Sequence, residues 1–469
     1  MLFRFIYMKN IINRLCALVL FSSLSIVSFC VAMGAFPSAA YANGLPERII
    51  LLPTATPAHS QTVTWRTRNA VPTLAEITES TASPALVQRA KQISGISKSH
   101  AILTGQTIEK TAGKTFHHRV TFTHLKPATR YAYRVKGEQG WSEWHSFRTA
   151  AETFTPYRMI YLGDTQNHIQ SLGSRTIRAA FAAAPDARLM LHAGDLTDRA
   201  GPEDQLWGEW FAAGNWLFSN IVQLPVVGNH EYRESPGTLP QLKVVWPAHF
   251  MLPGNGPESL RDTVYWLDYQ GVRFIALDSM IALHSEAAAK QQAQWLEPLL
   301  ANNPNRWTIV SYHHPLLSGT RAQFTPAIAT HWQPLFERYA VDLVLQGDDH
   351  IYGRWQPGQG VPVYTISVAG AKQNRVHDKA RELMQRVGED TQWYQVIEFS
   401  NERLQYRAWT VEGELYDAVD VIKQPGKPAR VESDLADAIP ERYCGKPEPA
   451  SLFPQAIYKP RCREVTELQ

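Results

Sequence analysis

Two hydrophobic rhythms divide the chain. Between residues 44 and 149 apolar and polar positions alternate in short runs, the period of half-buried strands. Gln61-Thr62-Val63-Thr64-Trp65-Arg66-Thr67 sets Val63 and Trp65 on one face, His118 to Phe122 alternates again, and Leu125 to Val135 turns at Pro127 and resumes. Trp144 to Thr149 closes the region. Short strands with frequent turns predict an all-β sandwich over 43–150. A polar, proline-ended break at 150–156 reads as a linker. From 157 to about 421 strands alternate with helices. Helices are predicted over 175–184 and 287–300, the latter with Trp295, Leu296, Leu299 and Leu300 spaced for one buried face. Hairpins are predicted where Gln270-Gly271 joins 265–269 to 272–277, and where Ser400 to Arg403 joins 394–399 to 404–409. Mixed strands with helices outside predict an α/β domain over 155–421, two sheets packed face to face in an αββα sandwich. The Pro- and charge-rich stretch 422–469 reads as a tail packed on the surface.

Within the second region five apolar runs lead straight into polar turns. Met159 to Leu162 precedes Gly163-Asp164-Thr165-Gln166, and Leu189 to Leu191 precedes Gly194-Asp195-Leu196-Thr197-Asp198-Arg199. Val226-Val227 precedes Gly228-Asn229-His230-Glu231, Thr308 to Val310 precedes Tyr312-His313-His314-Pro315, and Leu343 to Leu345 precedes Gly347-Asp348-Asp349-His350. The carboxyl ends of strands in an α/β domain converge on one rim, so these turns pool oxygen and imidazole donors in one place. Taken singly, Asp164 or Asp195 reads equally well as a helix cap, and Asn229-His230 as a plain turn. Five such turns in series supply about the donors that two adjacent metal ions need.

Composition adds bounds. A chain of 469 residues is long enough for two domains and a tail, and 44% hydrophobic content with 14 Trp, 18 Tyr and 18 Phe supplies large cores. A net charge of +3 without a Lys/Arg cluster gives no case for nucleic acid. Arg4, Lys9 and Arg14 precede an uncharged apolar stretch that ends near Ala40-Tyr41-Ala42. This pattern predicts a signal peptide over 1–42 and a secreted or periplasmic protein with no stable membrane span after cleavage. An uncleaved anchor is the alternative. Cys16 and Cys30 leave with the signal; Cys444 and Cys462, in an exported chain, are expected to form one disulfide, with two free thiols as the alternative.

The series Asp, Asp, Asn-His, His, then a closing Asp/His pair resembles the calcineurin-like metallophosphoesterases, and with the β-sandwich in front it is most similar to purple acid phosphatases. The segment Leu125-x-Pro127-x-Thr129-x-Tyr131 also resembles the tyrosine corner of fibronectin type III modules, with Trp65 as their core tryptophan. The resemblance implies a dinuclear centre of iron, manganese or zinc. It places Asp164 and His350 on one metal, Asp195 as a bridge, and Asn229, His313 and Asp348 on the second. His230 would face a small-molecule phosphate ester, which a metal-bound hydroxide would attack in line. A phosphodiesterase or nucleotide hydrolase of the same superfamily is an alternative, and so is a catalytically weakened relative acting as a binding module.

Three departures from the family pattern sharpen the reading. Asp198 stands where purple acid phosphatases carry the tyrosine behind their colour, so no purple colour is expected. Gly194 to Arg199 is instead similar to protein Ser/Thr phosphatases, which implies that Asp198 orients His230 and that Arg199 touches phosphate. Gln166 occupies the place of a metal-binding histidine in many relatives. Asp348 replaces another, giving a harder, anionic ligand or one too short to reach. Asp349 reads as a turn cap, His314 as support for His313, and the tryptophans at 207 and 210 as core.

Overall fold

In the computed structural model the described residues are 44–103 and 111–443. The predicted signal segment and the Cys444–Cys462 pairing lie outside them. No helix among the described residues is long and apolar enough to cross a membrane.

Two four-stranded antiparallel sheets form the N-terminal part. One runs in the order Glu47–Leu52, Gln61–Thr67, Thr111–Phe122, Ile96–Leu103, and the other Lys91–Ser94, Leu74–Glu79, Arg130–Val135, His145–Arg148. Trp65, Val120, Phe122, Tyr133 and Phe147 fill the space between them. The Tyr131 hydroxyl accepts the Lys126 amide at 2.9 Å, pinning the corner that the Leu-x-Pro-x-Thr-x-Tyr spacing marks. Gln61–Thr67 differs from the alternation in its sequence, because all seven residues are buried. Its second face lies against the larger part of the molecule: Thr64 Oγ1 donates to the His249 carbonyl at 2.7 Å, and Arg66 pairs with Asp204. Tyr133 Oη reaches the Ser219 carbonyl at 2.7 Å, so the two parts share one apolar core.

The larger part has two seven-stranded mixed sheets. The first runs Val222–Pro225, Leu189–His192, Tyr157–Leu162, Trp393–Phe399, Arg403–Thr410, Leu415–Ile422, Arg430–Ser433. The second runs Tyr265–Tyr269, Val272–Ala276, Trp307–Ser311, Leu343–Gln346, Val363–Ile366, Tyr352–Trp355, Arg386–Gly388. They meet face to face. Trp307 Nε1 donates to the Ser400 carbonyl at 2.9 Å, and Arg354 of the second sheet forms a buried pair with Asp417 of the first at 2.7 Å. Helices Ser174–Ala183 and Glu286–Ala301 fall within one residue of the sequence-based limits. The longer one is started by Ser285, whose hydroxyl accepts the Ala288 amide, and it buries Ala289, Gln292, Leu296 and Leu300. Trp295 and Leu299, expected on that face, are only half-buried. Trp207 and Trp210 are core residues. The first sheet continues past residue 421, because Arg430–Ser433 pairs antiparallel with Leu415–Ile422 as an edge strand.

Candidate metal centre

Tyr157–Leu162, Leu189–His192 and Val222–Pro225 run parallel in one sheet, and Val272–Ala276, Trp307–Ser311, Leu343–Gln346 and Val363–Ile366 run parallel in the other. Their carboxyl ends therefore deliver the polar turns to one edge. The third strand ends at Pro225, so Val226-Val227 belongs to the turn and not, as its apolar character suggests, to the strand. Asp164, Asp195, Asp348 and His350 all sit at positive φ, between 33° and 66°, a conformation that costs energy and clusters at functional sites. Glycines let these turns close on one another. A Cβ on Gly228 would stand 2.3 Å from Asp195 Oδ1, and one on Gly347 would stand 2.5 Å from Asp164 Oδ2.

One donor atom each from buried Asp164, Asp195 and His350 lies within 4.8 Å of the other two. His313 Nε2 joins them, 3.3 Å from Asp195 Oδ1, 3.9 Å from Asp164 Oδ1 and 3.1 Å from Asn229 Oδ1. Both histidines face the cluster through Nε2. His313 Nδ1 is held by the Ala193 carbonyl at 2.7 Å and His350 Nδ1 by the Lys372 carbonyl at 3.2 Å. A carbonyl can only accept, so each Nδ1 carries a proton and each Nε2 is the nitrogen turned to the cluster, the usual orientation of metal-binding imidazole. Burial raises the Asp164 carboxyl well above its ordinary range, with His313 pulling it down and Asp195 pushing it up. Burial works against charge on His313 as well, but Asp195 and Asp164 outweigh it and hold the imidazole well above its ordinary value. Burial also works to raise Asp195, yet His313 and His230 win and hold it low.

These residues fit a pair of cations by three observations. The donor set is carboxylate, amide oxygen and imidazole, which suits hard and borderline metals. Asn229 Oδ1 faces Asp195 and His313 Nε2, acceptors only; the reversed amide would donate to both and accept from Arg199 Nη2 at 2.7 Å. Gln166 Nε2 lies between Asp195 Oδ2 at 3.0 Å and His350 Nε2 at 2.9 Å, bringing partial positive charge between the two, while its buried Oε1 has no partner.

His230 lines the same edge. Its amide donates to Asp195 Oδ1 at 2.8 Å and its Nε2 lies 3.4 Å from Asp195 Oδ2. Asp198, expected to orient His230, is not its nearest partner. Nδ1 of His230 is held by the Thr197 carbonyl at 3.0 Å, whereas Asp198 Oδ1 is 4.0 Å away and is engaged by the Arg199 amide at 2.6 Å. Asp198 also accepts from Asn167. Arg199 is half-exposed at the mouth, paired with Glu234 at 3.0 Å. Asp348 borders the cluster: its amide donates to Asp164 Oδ2 at 3.0 Å, its Oδ1 is 3.9 Å from His313 Nε2, and its Oδ2 accepts from Arg321 at 2.7 Å. His314 donates to or accepts from Ser279 Oγ at 2.9 Å, and burial lowers it to about 4.

Two residues of the site escaped the motif reading. Glu231 is buried and accepts three amides, Gly228 at 2.8 Å and Asp195 and Leu196 at 3.0 Å, so it ties the second and third turns together. Burial, then Asp195, raises it to about 7. Its place at the end of Gly228-Asn229-His230-Glu231 was the available signal. Lys372 follows Val363–Ile366, another parallel strand, after the small and mostly apolar segment Ser367 to Ala371, and its charge reaches His350, His230 and Asp164. Glu231→Ala would leave three buried amides without an acceptor, at about 1–3 kcal/mol for each unpaired group. A lower thermal midpoint together with weaker metal retention is expected, and calorimetry with metal analysis checks both.

Residues 157–352 match the family model described as calcineurin-like phosphoesterase, and residues 46–149 match the purple acid phosphatase N-terminal domain. Residues 157–352 are thus similar to the calcineurin-like phosphoesterases, and the segment before them to the domain that precedes the catalytic part of purple acid phosphatases. Members of this family are metal-dependent phosphoesterases. An uncharacterized protein of Mycobacterium tuberculosis is 27% identical over 273 residues, 51% of this chain and 50% of that protein. Purple acid phosphatase 15 of Arabidopsis thaliana is 26% identical over 267 residues, 50% of this chain and 49% of that protein. Acid phosphatase type 7 of Mus musculus is 26% identical over 357 residues, 70% and 75% of the two chains. The chain thus spans about half the length of the first two curated relatives. In fold, it superposes on the purple acid phosphatase from yellow lupin (Lupinus luteus) seeds with a TM-score of 0.67 at 16% identity, covering 86% of this chain and 78% of that one. PhoD follows at 0.59 and 12%, covering 86% and 94%. The phosphoesterase architecture with an all-β domain in front is therefore the fold of this chain.

Proposed function

We propose that this chain hydrolyses phosphate monoesters at a two-metal centre, in an exported setting. The observation that carries the reading is the convergence of Asp164, Asp195 and His350 within 4.8 Å, completed by His313 and Asn229. In this reading Asp164 and His350 would hold one cation, Asn229 and His313 the other, and Asp195 would be shared between them. Bound cations supply Lewis acidity toward a phosphoryl oxygen and a low pKa for water.

The chain's own residues do the rest. Carbonyls of Ala193 and Lys372 lock the two imidazoles with Nε2 inward, so the site is organised before substrate arrives. Thr197 does the same for His230, leaving Nε2 to meet a phosphoryl or leaving-group oxygen; to pass it a proton the ring must be the imidazolium, which burial opposes and Asp195 favours. Arg199 and Lys372 flank the mouth and attract the anionic ester. Export rests on the charged, apolar and Ala-x-Ala pattern of residues 1–42.

Chelation followed by gel filtration should abolish hydrolysis of an aryl phosphate, and manganese, iron or zinc should restore it. Comparison of aryl monoester with aryl diester rates decides between a monoesterase and a diesterase. A protein that binds metal and turns over neither ester would be a weakened relative, and the reading would fail.

A further inference from the structure

Asp348, the residue that departs most from the family pattern, is held from outside the cluster by an arginine. Arg321 Nη2 donates to Asp348 Oδ2 at 2.7 Å and lies 3.1 Å from Asp349 Oδ1. Arg321 stands at the tip of a short hairpin in which Leu317–Ser318 pairs with Gln323–Phe324. The tip is fixed. Asp349, buried, accepts from Ser318 Oγ at 2.9 Å, Gly319 N at 2.5 Å and Thr320 Oγ1 at 2.8 Å, and Ser318 Oγ accepts the Arg321 amide at 3.1 Å. The adjacent aspartates divide the work: Asp349 builds the turn and Asp348 aims the guanidinium.

Both arginine contacts use Nη2. Among the described residues Nη1 and Nε have no partner, and the side chain is 48% exposed, so two nitrogens of the planar fork, with three N–H groups, remain open. Asp348 Oδ1 is 3.9 Å from His313 Nε2, which leaves a single carboxylate between the guanidinium and the heart of the cluster. A carboxylate whose charge is already compensated by arginine is a poor competitor for a cation. A guanidinium beside two metal sites is well placed for a phosphoryl oxygen.

Building on the phosphoesterase reading, we propose that Asp348 is a positioning residue and that Arg321, held by it, binds a terminal oxygen of the substrate's phosphoryl group and selects monoesters over diesters. A monoester has three terminal oxygens and can offer one to Arg321 while the others face the cluster. A diester replaces that oxygen with its second substituent and leaves the guanidinium unanswered.

The test uses the full chain reconstituted with manganese, as wild type, Arg321→Ala, Arg321→Lys, Asp348→Ala and the double alanine variant. It reads metal stoichiometry, affinity for inorganic phosphate by calorimetry, and KM and kcat for an aryl monoester and an aryl diester. Asp348→Ala should keep the wild-type stoichiometry. Both single alanine variants should weaken inorganic phosphate and raise the monoester KM by about tenfold, the scale of one charged hydrogen bond. The diester KM should not move, the double variant should lose no more than either single one, and Arg321→Lys should recover part of the loss. Metal lost from Asp348→Ala would overturn the positioning role, and full phosphate affinity in Arg321→Ala would overturn the clamp. If no form turns over either ester while Arg321→Ala still weakens phosphate binding, the phosphoesterase reading falls and the anion clamp stands.

Discussion

Asp195→Asn should strip the protein of metal and turnover together while leaving it folded. Asp195 is buried at the point where the two halves of the cluster meet. Its Oδ1 accepts the His230 amide at 2.8 Å and lies 3.3 Å from His313 Nε2; its Oδ2 accepts from Gln166 at 3.0 Å. Asparagine has the same shape and keeps one of these acceptor oxygens, so the turn should survive. It brings no charge, and its amide nitrogen faces donors on whichever side it occupies. Loss of an outer partner of a metal ligand already costs about 10–100-fold in affinity or activity; loss of a charged ligand shared by two cations should cost roughly 100-fold or more on the same scale. Metal stoichiometry, turnover of an aryl phosphate and the thermal midpoint read the three parts separately. An asparagine variant that retains both metals and near-normal turnover would remove Asp195 from the bridging position.

What the sequence disclosed about this site follows from where each interaction is encoded. The polar turns were legible because each follows an apolar strand, and parallel strands deliver their carboxyl ends to one edge whatever the details of packing. Gln61–Thr67 and the helix Glu286–Ala301 were legible because alternation and helical spacing are local. The second buried face of Gln61–Thr67 was not, since it depends on Asp204 and His249, which are far away in sequence. Val226-Val227 looked like strand because burial alone makes a residue apolar, and it is buried in the turn. The nearest partner of His230 Nδ1 is a backbone carbonyl, Thr197, and carbonyls carry no sequence signal; Asp198 was the visible candidate because Gly194 to Arg199 is similar to protein Ser/Thr phosphatases. The Arg321–Asp348 pair joins two turns through a contact that no motif spacing contains. The donor groups that gather at this edge were therefore readable from the chain, and their orientation was not.

His230→Ala should separate chemistry from metal binding. His230 reaches Asp195 through its backbone amide, a contact that alanine keeps, so both cations should stay. The side chain is mostly buried and fixed by Thr197 on its Nδ1, which leaves Nε2 as the atom that can meet substrate. If Nε2 delivers a proton to the departing oxygen, turnover should fall by roughly 100-fold or more, the typical worth of a positioned general acid. The loss should then depend on the ester. An alkoxide leaving group needs the proton and should show the full effect, whereas a nitrophenolate departs unaided and should show little. If His230 instead holds a terminal phosphoryl oxygen, the loss should be the same for every leaving group and should appear in the binding of inorganic phosphate. A series of monoesters of graded leaving-group pKa, measured on wild type and His230→Ala at equal metal content, distinguishes the two by slope. A variant that loses metal along with activity would contradict both roles, because it would make the imidazole part of the cluster itself.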